Sequence, residues 1–156
     1  MFSKSSKSIK KANKTRKVKT IALNSRMGIQ KKIVSTFLHM LNTVKLYHWA
    51  TGHYATHKAT DQLYSELSSK IDTFVETMFG KESIEFRSEV LKMQNVSVKS
   101  IKSNKELKEE AERYKSFLIK LTNNKTLNIQ NNTDLMNMRD DILGSLNQFL
   151  YLLTLN

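Results

Sequence analysis

With 156 residues the chain can bury a real core in one domain, and with no Cys it can form neither a disulfide nor a thiolate metal site. It has no Pro and 4 Gly, so little in it interrupts long helices. The net charge of +12 sits wholly in the first part: residues 1–60 carry 13 Lys and Arg and no acid, whereas residues 61–156 carry 13 against 14 Asp and Glu.

Residues 1–26 read as a flexible tail. They hold Lys4, Lys7, Lys10, Lys11, Lys14, Arg16, Lys17, Lys19 and Arg26, with no acid among them. A like-charged block of this kind stays disordered and serves as an interaction arm, here for the phosphates of DNA or RNA. The segment lacks the apolar stretch of a secretory signal. It shares its Ser-rich, basic composition with transit peptides, but it is rich in Lys rather than Arg. No run approaches about 18 apolar residues, so no membrane partner is expected.

Residues 27–156 read as an all-α domain, a ferritin-like four-helix bundle. Helix A runs from about Gly28 to Thr51, with Ile29, Ile33, Val34, Phe37, Leu41 and Val44 at amphipathic spacing. Gly52 ends it. Helix B runs from about Ala55 to Phe79 and turns Leu63, Leu67, Ile71, Phe74 and Val75 to the core. Residues 81–103 form a long connection with a short helix around Ile84–Met93. Helix C starts near Asn104, where Glu106, Glu109, Glu110 and Glu112 suit the positive end of the helix dipole, and ends at Asn123–Asn124. After a polar loop over residues 125–132, helix D begins at an N-cap of Asn132 or Thr133. It continues through Leu135, Ile142, Leu143, Leu146, Phe149, Leu150 and Leu153. A single long crossover between B and C is the connection that ferritin-like folds use.

The stretch from His48 to Gly80 reads HWATGHYATHKATDQLYSELSSKIDTFVETMFG. His48, His57, Asp61, Asp72 and Glu76 form a mixed imidazole and carboxylate set that suits iron or zinc. Asp61, Asp72 and Glu76 follow His57 by 4, 15 and 19 residues. At about 100° per residue, these four share a sector of roughly 100° on one helix face. Yet 15 residues of helix rise by about 22 Å, and a metal–ligand bond is about 2 Å. One copy therefore cannot close the site. Two copies of the helix running antiparallel about a twofold axis can, and they create two equivalent sites.

This arrangement resembles the Dps-like mini-ferritins. His48-Trp49 matches the family's first His-Trp element, His57-x-x-x-Asp61 its second, and Asp72-x-x-x-Glu76 the acids supplied by the partner subunit. The resemblance implies an intersubunit di-iron ferroxidase site with these five residues as ligands and catalytic groups, and with zinc as a surrogate metal. It further implies Fe(II) oxidation by peroxide or oxygen, mineral storage in a hollow dodecameric shell, and Trp49 beside the iron taking up oxidising equivalents. The connection between His48 and His57 is shorter than in that family, and Thr77 stands where Arg often follows the Glu. A cytoplasmic or nucleoid-associated location follows from the same resemblance. The Lys- and Asn-rich, Pro-free composition fits an AT-rich genome, and a virion location if the source is a large DNA virus.

Other residues read more plainly. His53 is a loop histidine without a partner by spacing. His39 lies nine residues before His48, 2.5 turns away on the opposite side of helix A. Tyr47, Tyr54 and Tyr64 are packing residues near the site, and Lys45 and Lys58 are candidates for an interface. Asp140 and Asp141 suit capping, ion pairing or a pore. No Glu-x-x-His occurs, so an intrasubunit ferritin centre has no ligands. The alternative to the ferroxidase is a basic-tailed bundle that condenses nucleic acid, with the metal site structural or vestigial.

Overall fold

The computed structural model describes residues 3–92, 95–127 and 132–155, with side chains from residue 14 onward. It is all-helical: α1 Ser3–Ala50, α2 Tyr54–Gly80, α3 Ile84–Leu91, α4 Asn104–Leu121 and α5 Thr133–Leu152. The expected helices B, C and D correspond to α2, α4 and α5 within a residue or two at most ends. The short helix of the connection, α3, stops at Leu91; Met93, its expected end, lies outside the described residues.

The flexible tail is corrected. In place of a disordered tail, residues 3–26 belong to α1, one helix of 48 residues, about 72 Å long. The physical reason is local. The segment has no Pro, its Lys, Arg and Ala residues are good helix formers, and Gly28 is an isolated interruption. Every residue from 14 to 26 is exposed, and Ser25 meets Thr126 of the loop after α4 at 3.2 Å.

α1 joins the bundle at a defined anchor. Arg26 pairs with Glu82 at 2.8 Å and lies 4.9 Å above the Phe86 ring. Gln30, buried one turn on, donates to the same carboxylate at 2.7 Å. One acid in the α2–α3 turn thus fixes the point at which the projecting helix leaves the core.

The bundle helices pack in a ring. α1 lies against α2, α2 against α5, α5 against α4, and α4 against α1, while α3 rests on α1. α2 and α4 are therefore diagonal, and the segment over residues 81–103 has to cross the bundle to join them. Serine caps both ends of this crossing: Ser83 accepts from the Phe86 amide and Ser103 from the Glu106 amide, each satisfying an orphan N–H of a helix start. The core is continuous across the ring. Phe37, Met40, Leu67, Phe74, Met78, Leu107, Leu118, Ile142, Leu146 and Phe149 are essentially inaccessible. Phe37 meets Phe74 edge to face at 5.3 Å.

Two polar devices tie the ring together. Arg139 is buried and donates to the Leu118 carbonyl and the Thr122 hydroxyl, closing the C-terminal end of α4; its other arm pairs with Asp140 at 2.8 Å. Glu110, also buried, takes Lys99 at 2.7 Å and Arg113 at 2.6 Å, with His39 Nε2 at 3.6 Å. The other nitrogen of His39 is 2.6 Å from the Ser97 carbonyl. His39 thus clamps the crossing segment onto α1 and α4, away from His48. No helix among the described residues is long and apolar enough to cross a membrane.

Candidate functional site

α1 ends at Ala50 and α2 begins at Tyr54, so three residues turn the chain and set His48 beside His57. The two rings stack, with centroids 3.9 Å apart and planes at 25°. Each Nδ1 faces the other residue's backbone carbonyl, His48 to His57 O at 3.1 Å and His57 to His48 O at 3.0 Å. A carbonyl only accepts, so both nitrogens carry the proton. In the neutral rings this leaves each Nε2 with its lone pair, the tautomer that metal-binding histidines adopt when a carbonyl holds the other nitrogen.

A buried hydroxyl layer supports the pair. Thr60 Oγ1 lies 3.3 Å from His48 Nδ1 and donates to the Thr56 carbonyl at 2.8 Å. Thr56 Oγ1 accepts from Asn104 Nδ2 at 3.2 Å, and Asn104 Oδ1 accepts from the Tyr47 phenol at 2.8 Å. The start of α4 is thereby keyed to the end of α1 and the start of α2. Burial pushes the Tyr47 phenol above its ordinary value, with Thr51 working against the shift and Glu106 adding to it. None of Thr56, Thr60 and Asn104 was singled out from the sequence. The spacing of Thr56 and Thr60 in α2, T-x-x-x-T one residue off the His57–Asp61 pair, is the signal that could have found those two.

Asp61 faces the same corner. Its Oδ1 is 3.8 Å from His48 Nε2 and 3.9 Å from Lys45 Nζ. Lys45 in turn lies 4.7 Å above the Tyr64 ring and 5.7 Å above the Trp49 ring. Trp49 itself is 68% exposed. So His48 lies beside both His57 and Asp61 at one end of α2.

Asp72 and Glu76 do not join them. Both are exposed further along α2, and neither carboxylate has a hydrogen bond or ion pair among the described residues. Asp72 lines a groove of about 710 Å³ between α1 and α2, with Leu38, Leu41, Tyr64, Ile71 and Val75. Val75, expected to turn to the core, is half-buried at this groove, as is Leu41. Among the described residues, no three His, Asp or Glu side chains converge closely enough to hold a metal ion within one chain.

Of the basic residues expected to meet nucleic acid, Lys14, Arg16, Lys17 and Lys19 are exposed on α1. Arg26 is committed to Glu82. The side chains of Lys4, Lys7, Lys10 and Lys11 lie outside the described residues.

Fold and site together define an all-helical bundle bearing a paired-histidine corner with an adjacent carboxylate. The chain belongs to DUF5856, a family of unknown function, which it matches over residues 48–153. That match opens at His48 and takes in all five candidate ligands and α2 to α5. No curated protein and no solved structure matches the chain.

Proposed function

We propose that the protein is a Dps-like, ferritin-like bundle that binds iron between two copies of the chain and oxidises it. The carrying observation is the division of the five candidate ligands. His48 lies against His57 and Asp61 at one end of α2, while the carboxylates of Asp72 and Glu76 have no partner among the described residues further along the same helix. A twofold axis through the intervening apolar groove would bring one copy's histidine corner to the other copy's acids, giving two sites. The ring order α1–α2–α5–α4 with its long diagonal crossing supports the ferritin-like part of the reading.

The chemistry follows from the donors. Nε2 of His48 and His57 would hold Fe(II), and the three carboxylates would favour the Fe(III) product. Two Fe(II) ions give one electron each to a peroxide; its O–O bond breaks and the two oxygens leave as hydroxide. Exposed Trp49 stands next to the corner as an oxidisable side chain. Storage of the ferric product in a closed shell of twelve copies is what the resemblance adds. Zn(II) would occupy the same ligands without redox chemistry.

The test is stopped-flow oxidation of Fe(II) by peroxide and by oxygen. His57→Ala and Asp72→Ala should each abolish the fast phase while the far-ultraviolet dichroism stays helical. Wild-type rates in both variants would end the ferroxidase reading.

The exposure of residues 14–26 favours a second activity that can coexist with the first. A helical arm with Lys14, Arg16, Lys17 and Lys19 on its surface suits the phosphates of DNA or RNA. It would do so without sequence preference, because phosphate contacts position a protein but carry no base information.

A further inference from the structure

We propose that Lys45 is the resident cation of the His48–His57–Asp61 corner: it holds Asp61 until a divalent ion arrives, and it sets how tightly that ion binds. The inference rests on the metal-binding reading above and names what governs the affinity of the site.

Asp61 Oδ1 is approached by two groups at nearly equal distance, His48 Nε2 at 3.8 Å and Lys45 Nζ at 3.9 Å. The carboxylate is 55% exposed, whereas the lysine side chain is only 28% exposed. Lys45 is enclosed because two helices wall it in. Trp49 lies one turn on along α1, and Tyr64 lies three residues beyond Asp61 on α2, which places both rings around the ammonium.

An ion bound to Asp61 and His48 would sit about 2 Å from each ligand atom. The ammonium cannot keep its place at the same oxygen. Two positive centres that close repel strongly in a partly desolvated corner. Metal entry therefore requires Lys45 to leave Asp61. The ammonium already lies over the faces of Tyr64 and Trp49, which attract a cation. The lysine would give up the carboxylate and settle on the rings instead of being expelled into water. Asp61 thus has a cation beside it in the metal-free protein, and every divalent ion competes with that charge.

The experiment is calorimetric titration of the full-length assembled protein with Zn(II), using the wild type, Lys45→Met, Lys45→Arg and His57→Ala. Emission from Trp49, the chain's one tryptophan, is followed in parallel. Lys45→Met should bind Zn(II) about tenfold more tightly, because the competing charge is gone and the stem's packing is kept. Lys45→Arg should bind no more tightly than the wild type. Zn(II) should shift the emission of the wild type and leave that of Lys45→Met nearly unchanged.

If His57→Ala loses Zn(II) binding but Lys45→Met binds as the wild type does, or more weakly, the role of Lys45 is overturned and the metal site stands. Lys45→Arg binding as tightly as Lys45→Met would also overturn it, since charge would not be the cause. If His57→Ala binds as well as the wild type, the metal-site reading fails and the role of Lys45 falls with it.

Discussion

His48 and His57 hold each other by their backbones: each ring's Nδ1 proton goes to the other residue's carbonyl, at 3.1 and 3.0 Å. The orientation of both imidazoles is thus set by the course of the chain from α1 into α2. Side chains around the pair add support, with Thr60 the nearest. The free Nε2 atoms are what a site at this corner would use, and the predictions below ask what completes it.

If the site is completed by a second copy, two dead variants should rescue each other. In an antiparallel dimer of His57→Ala with Asp72→Ala, one site carries both changes and the other carries neither. Randomly mixed subunits should therefore regain about a quarter of the wild-type sites, since half the dimers are mixed and each has one intact site of two. The measurement is the amplitude of the fast Fe(II) oxidation phase after co-refolding. A mixture as inactive as its parents would mean that the ligands are not shared in this way.

The groove should be an interface. Leu38 is 37% exposed and lines it beside Leu41 and Asp72. Leu38→Glu places a charge where two copies would meet, and little of the bundle's own core depends on that side chain. Light scattering at micromolar concentration should show the wild type as a dimer or larger and Leu38→Glu as a folded monomer. An unchanged mass for the variant would move the interface elsewhere.

Acid should unlatch the crossing segment. Burial pushes the Glu110 carboxyl up, but the hydrogen bonds and charges of Lys99 and Arg113 outweigh it and hold the group below its ordinary value. Stability from such a group is fully present above the unfolded value and is lost as pH falls through the depressed folded value. Glu66 shifts in the same direction, chiefly through its bond from Ser145. Denaturant midpoints should therefore fall as pH drops below about 4.5, and they should fall less steeply in Glu110→Gln. At neutral pH that variant should be less stable by about 1–2 kcal/mol, because its cationic partners are half-exposed and recover water. Parallel pH profiles for the two proteins would take the latch away from Glu110.

The projecting part of α1 should carry nucleic-acid binding. A chain beginning at Met27 should lose most of its affinity for duplex DNA in gel-shift titrations. If six of the basic residues meet phosphates, log affinity should fall with log salt at a slope of about −5 in the full chain. Equal affinity with and without residues 1–26, or indifference to salt, would remove the arm's role. Arg26→Ala should act differently, lowering stability through Glu82 more than it lowers DNA affinity.

Much of the bundle is legible from periodicity, because burial follows it. Phe37, Leu67, Ile142 and Leu146 recur at helical spacing and are all inaccessible. The juxtaposition of His48, His57 and Asp61 is legible too, since short-range helical geometry and one brief turn fix it. The helical state of residues 3–26 is not, because like-charge repulsion and helix propensity oppose each other there and composition does not say which prevails. Nor can spacing reveal partners brought together by the fold. Glu110 meets His39 across 71 residues, and Asn104 meets Thr56 across 48. Arg139 meets the end of α4 across 17 to 21 residues.

The reciprocal carbonyl bonds also say which parts of the gene can drift in length. Residues 51–53 form a spacer of fixed size: one residue more or fewer would rotate α2 by about 100° against α1 and break both bonds at once. The crossing between α3 and α4 is pinned where His39 meets Ser97 and Glu110 meets Lys99, but its length does not set the rotation of one helix against the next. Insertions should accumulate there and at the α4–α5 loop, while the step from His48 to His57 stays nine residues long.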